Sequence, residues 1–255
     1  MSVTLSDFVM PFVILSFAFS VLGSALALTA VKVASKKDGR ERMVWSAVAG
    51  VMLGGVGVWV MHFVGMLAYQ PQMDVYYNTG MSVVSAIPAV IATSIGVWLV
   101  VQEFKLSRLV IAGGLIAAGV VGMHYTGMEA MVMSGGQMSY NYLLVGLSVI
   151  LAIAAGTAAL FIAVKIDGAL RWAAAPVMGL AVCAMHYTGM FAMRMTMTGE
   201  VINVPENAFS ETDVTLAVAS GALVVLVMGA IAVGIDYLRV DAGLVPDADT
   251  APAAA

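Results

Sequence analysis

All three histidines of this 255-residue chain lie in copies of one six-residue phrase. The copies are Met61-His62-Phe63-Val64-Gly65-Met66, Met123-His124-Tyr125-Thr126-Gly127-Met128 and Met185-His186-Tyr187-Thr188-Gly189-Met190. His62 and His124 are 62 residues apart, and so are His124 and His186. Whatever fold the chain adopts must place three imidazoles, each preceded by a methionine and followed by one four residues on, at equivalent points of a repeat.

The length of that repeat is explained by composition. The chain is 62% hydrophobic and 10% charged, with a mean hydropathy of +1.00. A soluble domain with that balance would lack the polar surface to cover itself. Apolar runs of about 20 residues, enough to cross a bilayer core, recur at about 8–31, 44–69, 81–101, 109–133, 142–164, 172–195 and 213–235. An all-α, polytopic membrane protein of seven transmembrane helices is therefore expected, forming one domain over 1–238. Residues 239–255 are small, polar and rich in Pro and Ala, and are expected to be a short disordered cytoplasmic tail, too short for an output domain. The first span carries Asp7 and no basic residue before its apolar run, unlike a cleaved signal peptide, so it reads as a retained helix. A single cysteine excludes an intramolecular disulfide, and the lack of a basic stripe argues against nucleic acid as a partner.

Charge orients the spans. Lys32, Lys36, Lys37, Arg40, Arg42, Lys105, Arg108, Lys165, Arg171 and Arg239 fall at one end of alternate spans, and only Arg194 falls at the other. The basic end is expected to be cytoplasmic, which puts the N-terminus outside and the C-terminus inside. A period of 62 residues equals two spans and two connections. The units are spans 2 and 3, 4 and 5, and 6 and 7, three parallel repeats after an extra first helix. Gly65, Gly127 and Gly189 align at that period, as do Ala68, Ala130 and Ala192.

His62 lies roughly 18 residues into span 2, about 27 Å along a helix rising 1.5 Å per residue. The three imidazoles should thus share one layer near the outer edge of the membrane, where ionisable groups are usually functional. Residues four apart share a helix face, so His62 with Met66, His124 with Met128 and His186 with Met190 offer nitrogen and thioether donors together. That neutral set suits copper better than zinc, calcium or magnesium. Met61, Met123 and Met185 lie about 100° round the helix, and Tyr125 and Tyr187 are placed to hydrogen-bond a ligand or an imidazole. Glycine three residues after each histidine admits a close helix neighbour. Fourteen of the twenty methionines fall in the windows 61–81, 123–138 and 185–197, all toward the motif end. Generic core packing explains abundant methionine but not this confinement. Cys183, three residues before His186, has no counterpart in the other copies and reads as a packing residue.

Three such phrases in register across seven spans resemble the bacterial MHYT domain, an integral membrane sensor module. The resemblance covers nearly the whole chain; His124 and His186 sit in full matches and His62 in a Met-His-Phe variant. It implies a multi-pass protein of the bacterial cytoplasmic (inner) membrane, with copper held by its histidines and methionines. It further implies sensing of oxygen, carbon monoxide or nitric oxide, with relay to a cytoplasmic signalling partner. A copper or soft-metal transporter is the competing reading, though the cytoplasmic half offers little as acceptors, with Met43, Met52 and Met178 and no histidine. A membrane haem protein with bis-histidine ligation is a third. No paired carboxylates, nucleophile or phosphate loop points to an enzyme.

Overall fold

The computed structural model describes residues 2–71, 75–133, 136–197 and 208–241. Each apolar run becomes a helix. Span 1 is Met10–Ser35, span 2 Gly39–Leu67, span 3 Thr79–Gln102, span 4 Leu106–Glu129, span 5 Tyr142–Lys165 and span 6 Ala169–Ala192. Span 7 is Glu211–Asp241. The local starts are written in the sequence. Asn78 accepts from the Met81 amide at 3.0 Å and Asn141 from the Leu143 amide at 3.1 Å, each capping a helix whose first amides lack partners. Gly168 turns the chain into span 6 with φ +65°, a conformation that a side chain resists. Residues 242–255, most of the expected tail, lie outside the described residues.

Within span 2, Val51–Val60 is π-helical. Its sequence, Val-Met-Leu-Gly-Gly-Val-Gly-Val-Trp-Val, holds three glycines; π-helix is rare and found mostly as single turns, frequently at functional sites. Nothing in the apolar pattern distinguishes this stretch from ordinary α-helix.

Spans 2, 3, 4, 5, 6 and 1 pack in that order as a closed ring, each touching the next, and span 1 returns to span 2. Span 7 lies outside the ring against spans 1 and 2. The repeat in sequence pairs span 6 with span 7, whereas in space span 1 fills the gap between spans 6 and 2. It thus takes the place that span 3 has between 2 and 4, and span 5 between 4 and 6.

The motif end is closed by short strands. β1 (Val75–Asn78) pairs antiparallel with β2 (Met131–Met133) and with β5 (Ala208–Ser210). β3 (Gly136–Tyr140) pairs antiparallel with β4 (Met193–Met197). The N-terminal segment completes the closure through bridges from Ser2 to Arg194 and from Phe8 to Tyr69. Connections after spans 2, 4 and 6 are thereby joined pairwise around the ring. Helix was expected to run to 133 in span 4 and 195 in span 6; it stops at Glu129 and Ala192. Beyond those points methionine alternates with other residues at period two, the strand period. Met131, Met133, Met193 and Met195 turn inward and are buried.

Candidate metal centre

The histidines sit five residues before the ends of spans 2 and 4 and six before the end of span 6. This equal depth puts them in one layer inside the ring. They are 0%, 1% and 1% exposed. The Nδ1 atoms of His62 and His186 are 3.0 Å apart, those of His124 and His62 3.1 Å, and those of His186 and His124 3.3 Å. The ring centroids stand 4.9–5.2 Å apart, with the planes nearly perpendicular.

Hydrogen bonding cannot close this triangle. A neutral imidazole Nδ1 is either a donor or an acceptor, never both. Among three such atoms in a ring, two must have the same role, so at least one edge is donor against donor or lone pair against lone pair. A cation at the centre removes the conflict, because all three lone pairs then point at it. The centre of a triangle with these edges lies about 1.8 Å from each nitrogen, against roughly 2.0–2.1 Å for histidine–zinc bonds. A small outward shift of each ring would fit a metal ion. Among the described residues these three histidines form the one cluster of His, Cys, Asp or Glu donors. Cys183 is buried and outside it.

The far edges of the imidazoles explain the glycines. A methyl group on Gly127 would overlap Nε2 of His62, one on Gly189 would overlap Nε2 of His124, and one on Gly65 would overlap Nε2 of His186. Each histidine leans on the glycine of the next copy, in one rotational sense. The Nε2 atoms make no hydrogen bond with the described residues.

The aromatic after each histidine packs edge-on against it. Phe63, Tyr125 and Tyr187 lie 5.1, 4.8 and 4.7 Å from their neighbouring imidazoles. Tyr125 bonds Ser148 on span 5 at 2.8 Å, and Tyr187 bonds Ser16 on span 1 at 2.9 Å. Phe63 has no hydroxyl. In its copy the indole of Trp59, one turn back and 5.2 Å from the Phe63 ring, donates to Ser85 on span 3 at 3.1 Å and to the Ser82 carbonyl at 2.9 Å. All three serines are 0% exposed. Each donates to a carbonyl three residues back, which leaves its oxygen to accept from the aromatic. Ser16, Ser85, Ser148 and Trp59 lie outside the repeated phrase. The serines are 69 and 63 residues apart, so the 62-residue period does not reveal them.

Methionines bracket the layer. Met66, Met128 and Met190 are 0% exposed and pack among the cap residues. Met123 and Met185 pack with the apolar core toward the basic end, and Met61 is buried as well. In the cap, Tyr69 donates to the Met195 sulfur at 3.3 Å, and its phenol is pushed up to about 12 by burial and then by Asp7. Tyr140 is likewise raised, first by burial and then by its bond to Glu129. Both phenols therefore stay protonated over the ordinary pH range.

Three consecutive repeats of the family described as MHYT, a bacterial signalling protein N-terminal repeat, match residues 55–114, 118–175 and 179–240. The chain belongs to the MHYT family. It is 37% identical over 228 residues to the bifunctional diguanylate cyclase/cyclic di-GMP phosphodiesterase MucR of Pseudomonas aeruginosa, a match covering 83% of this chain and 33% of MucR. It is 30% identical over 193 residues to the cyclic di-GMP phosphodiesterase NbdA of the same organism, covering 72% of this chain and 24% of NbdA. It is 31% identical over 192 residues to the signaling protein YkoW of Bacillus subtilis, covering 70% of this chain and 23% of YkoW. The chain thus spans a third or less of the length of these relatives. No solved structure matches it. In this MHYT protein the motif acts as a unit. Histidine forms the triangle, the tyrosine after it in the second and third copies ties it to a companion span, glycine seats the next imidazole, and methionine seals the layer above and below.

Proposed function

We propose that this MHYT protein is a sensor module of the bacterial inner membrane that holds one monovalent copper ion in its histidine triangle. The observation carrying the reading is the set of three converging Nδ1 atoms that cannot satisfy one another. His62, His124 and His186 would hold the ion, and Met66, Met128 and Met190 on the capped side would supply soft thioether donors. The donors are all neutral and the site is dry. The desolvation cost of burying a charge rises steeply with that charge, so a singly charged ion is favoured over a divalent one. Bound copper would supply a redox-active, soft centre able to take a diatomic ligand. The chain's own part is to fix the imidazoles, exclude water with the methionine cap, and pass movement of spans 2, 4 and 6 toward the basic end. That end would face the cytoplasm, where a signalling partner linked to cyclic di-GMP would read it; the chain itself would be no enzyme.

A haem is a poor fit. Two histidines on opposite faces of a haem need a macrocycle between them, and nitrogens 3.0–3.3 Å apart leave no slot. Transport is less favoured because the histidine layer is sealed above by the cap and lies over an apolar core. Protein purified from a copper-replete host should contain about one copper per chain by elemental analysis, lost in His124→Ala/His186→Ala with helicity retained. Copper-free, folded parent protein would end the proposal.

A further inference from the structure

Four residues before each histidine stands a valine: Val58, Val120 and Val182. Four residues make one helical turn, so the valines lie beneath the imidazoles on the same faces, about 6 Å toward the basic end. All three line one cavity of about 40 Å³. Ile116 and Met178, eight residues before His124 and His186, line it one turn further down, with Leu53 beside them on span 2. Met185, next to His186 in the chain, is part of the wall. With Thr93 of span 3 and the small residues of span 5, five of the six ring spans border this space. It therefore lies inside the ring, directly under the histidine triangle.

The lining sets the chemistry of an occupant. Thr93 supplies the one side-chain hydroxyl, and all the other lining residues are apolar. Threonine and serine in these helices commonly satisfy themselves on a carbonyl four residues back, as Thr29, Ser46 and Ser94 do. The Thr93 hydroxyl is 0% exposed and makes no hydrogen bond with the described residues. Leaving such a donor unpaired costs free energy that a ligand with a lone pair recovers. A water needs two to four polar partners to settle in a cavity, and one hydroxyl does not supply them. An ion finds no charge to pair with. Volume sets the size. Water takes about 30 Å³ in the liquid, so about 40 Å³ admits one molecule only slightly larger. Span 5 closes the cavity with Ala152, Ala155 and Ala159, and Ala155 and Ala159 are half-buried. The wall is thinnest there toward the bilayer, where small apolar solutes dissolve.

We propose that this cavity is a docking site for one neutral diatomic molecule, which enters through the alanine wall of span 5 and rests under the imidazoles beside the Thr93 hydroxyl. The role of that molecule in signalling rests on the sensor reading above. Its docking does not, because no metal takes part.

The test places the metal-free full chain in lipid nanodiscs, with isotope-labelled methionine methyl groups, under rising pressure of molecular oxygen. Oxygen is paramagnetic and its effect on nuclear relaxation falls steeply with distance, so each methyl reports oxygen held beside it. Met178 and Met185 line the cavity. Met52 is equally buried, lies at nearly the depth of Met178 and is not part of the lining, so it reports oxygen dissolved in the surrounding bilayer. Met190, 0% exposed on the capped side, is a second reference. Relaxation at Met178 and Met185 should rise several-fold more than at either reference. Ala155→Leu should fill the cavity and abolish the excess; Ala155→Val, a smaller change that serves if the leucine variant does not fold, should reduce it. The proposal is overturned by equal relaxation at all four methyls, or by an excess that survives filling in folded protein. Magnetisation transfer from water to Met178 and Met185 would mark an ordered water in the cavity and overturn it as well. Failure to bind copper leaves the oxygen result unaffected, and failure here leaves the copper stoichiometry unaffected.

Discussion

At the basic end of the bundle, Lys32 and Arg171 both reach Asp167, at 3.2 and 3.3 Å, and Arg42 pairs with Asp38 at 2.6 Å. At the motif end, three histidines meet with no carboxylate in their cluster, sealed by methionine and aromatic rings. The first region carries exposed carboxylates, which water can solvate when a partner is lost. The second is buried, and a group that loses its partner there is out of reach of bulk water. Similar numbers of polar contacts thus have very different weight, and substitutions at the two ends should show it.

The largest effect is expected at the glycine seats. Gly127→Ala or Gly189→Ala pushes a methyl into the Nε2 edge of the neighbouring imidazole. Overpacking of this kind costs about 1–3 kcal/mol, and the displaced ring should also cost most of the bound metal. Gly114→Ala, where a methyl meets nothing within 4 Å, should change neither thermal stability nor metal content. Equal behaviour of the three variants would break the comparison.

The aromatic–serine contacts come next. Ser148→Ala leaves the half-buried Tyr125 hydroxyl without its acceptor, a loss of about 1 kcal/mol in a thermal melt. Tyr125→Phe combined with Ser148→Ala should be milder than the sum of the two single changes, because neither partner is then stranded. Strict additivity would show that the bond does not couple spans 4 and 5. In the first copy, Trp59→Phe should cost as much as Ser148→Ala, since Trp59 replaces the missing phenol.

The smallest effect belongs to the basic end. Asp167 titrates below the usual carboxylate range, first because the Gly168 amide donates to it, then because Lys32 and Arg171 stand beside it. A depressed native value means its contribution is complete above the unfolded value of about 4 and disappears as pH falls through the native one. Asp167 is largely exposed, so Asp167→Asn should cost about 0–1 kcal/mol, and the loss should shrink with added salt. A loss as large as that of Gly127→Ala would reverse the ranking of the two ends.

Much of this was legible in the sequence, for identifiable reasons. Seven apolar runs gave seven spans because bilayer thickness fixes their length. The 62-residue period put three histidines at one depth because equal sequence steps through equivalent hairpins return to the same level. The strands are hidden from hydropathy because Met131, Met133, Met193 and Met195 extend the apolar runs, although their alternation carries a strand signal. Ring closure by span 1 was not legible. Its pairing with span 6 depends on contacts such as Ser16 with Tyr187, 171 residues apart, and span 1 carries no copy of the motif. The π-helical segment of span 2 leaves no mark in an apolar pattern.

The central claim is that three imidazoles share one ion rather than each serving a site of its own. Anaerobic titration of metal-free protein with copper(I), in the presence of a chromophoric chelator as competitor, measures that stoichiometry. A single tight equivalent per chain is expected, abolished by removing any one of His62, His124 or His186. Three independent equivalents, or no binding that outcompetes the chelator, would contradict it.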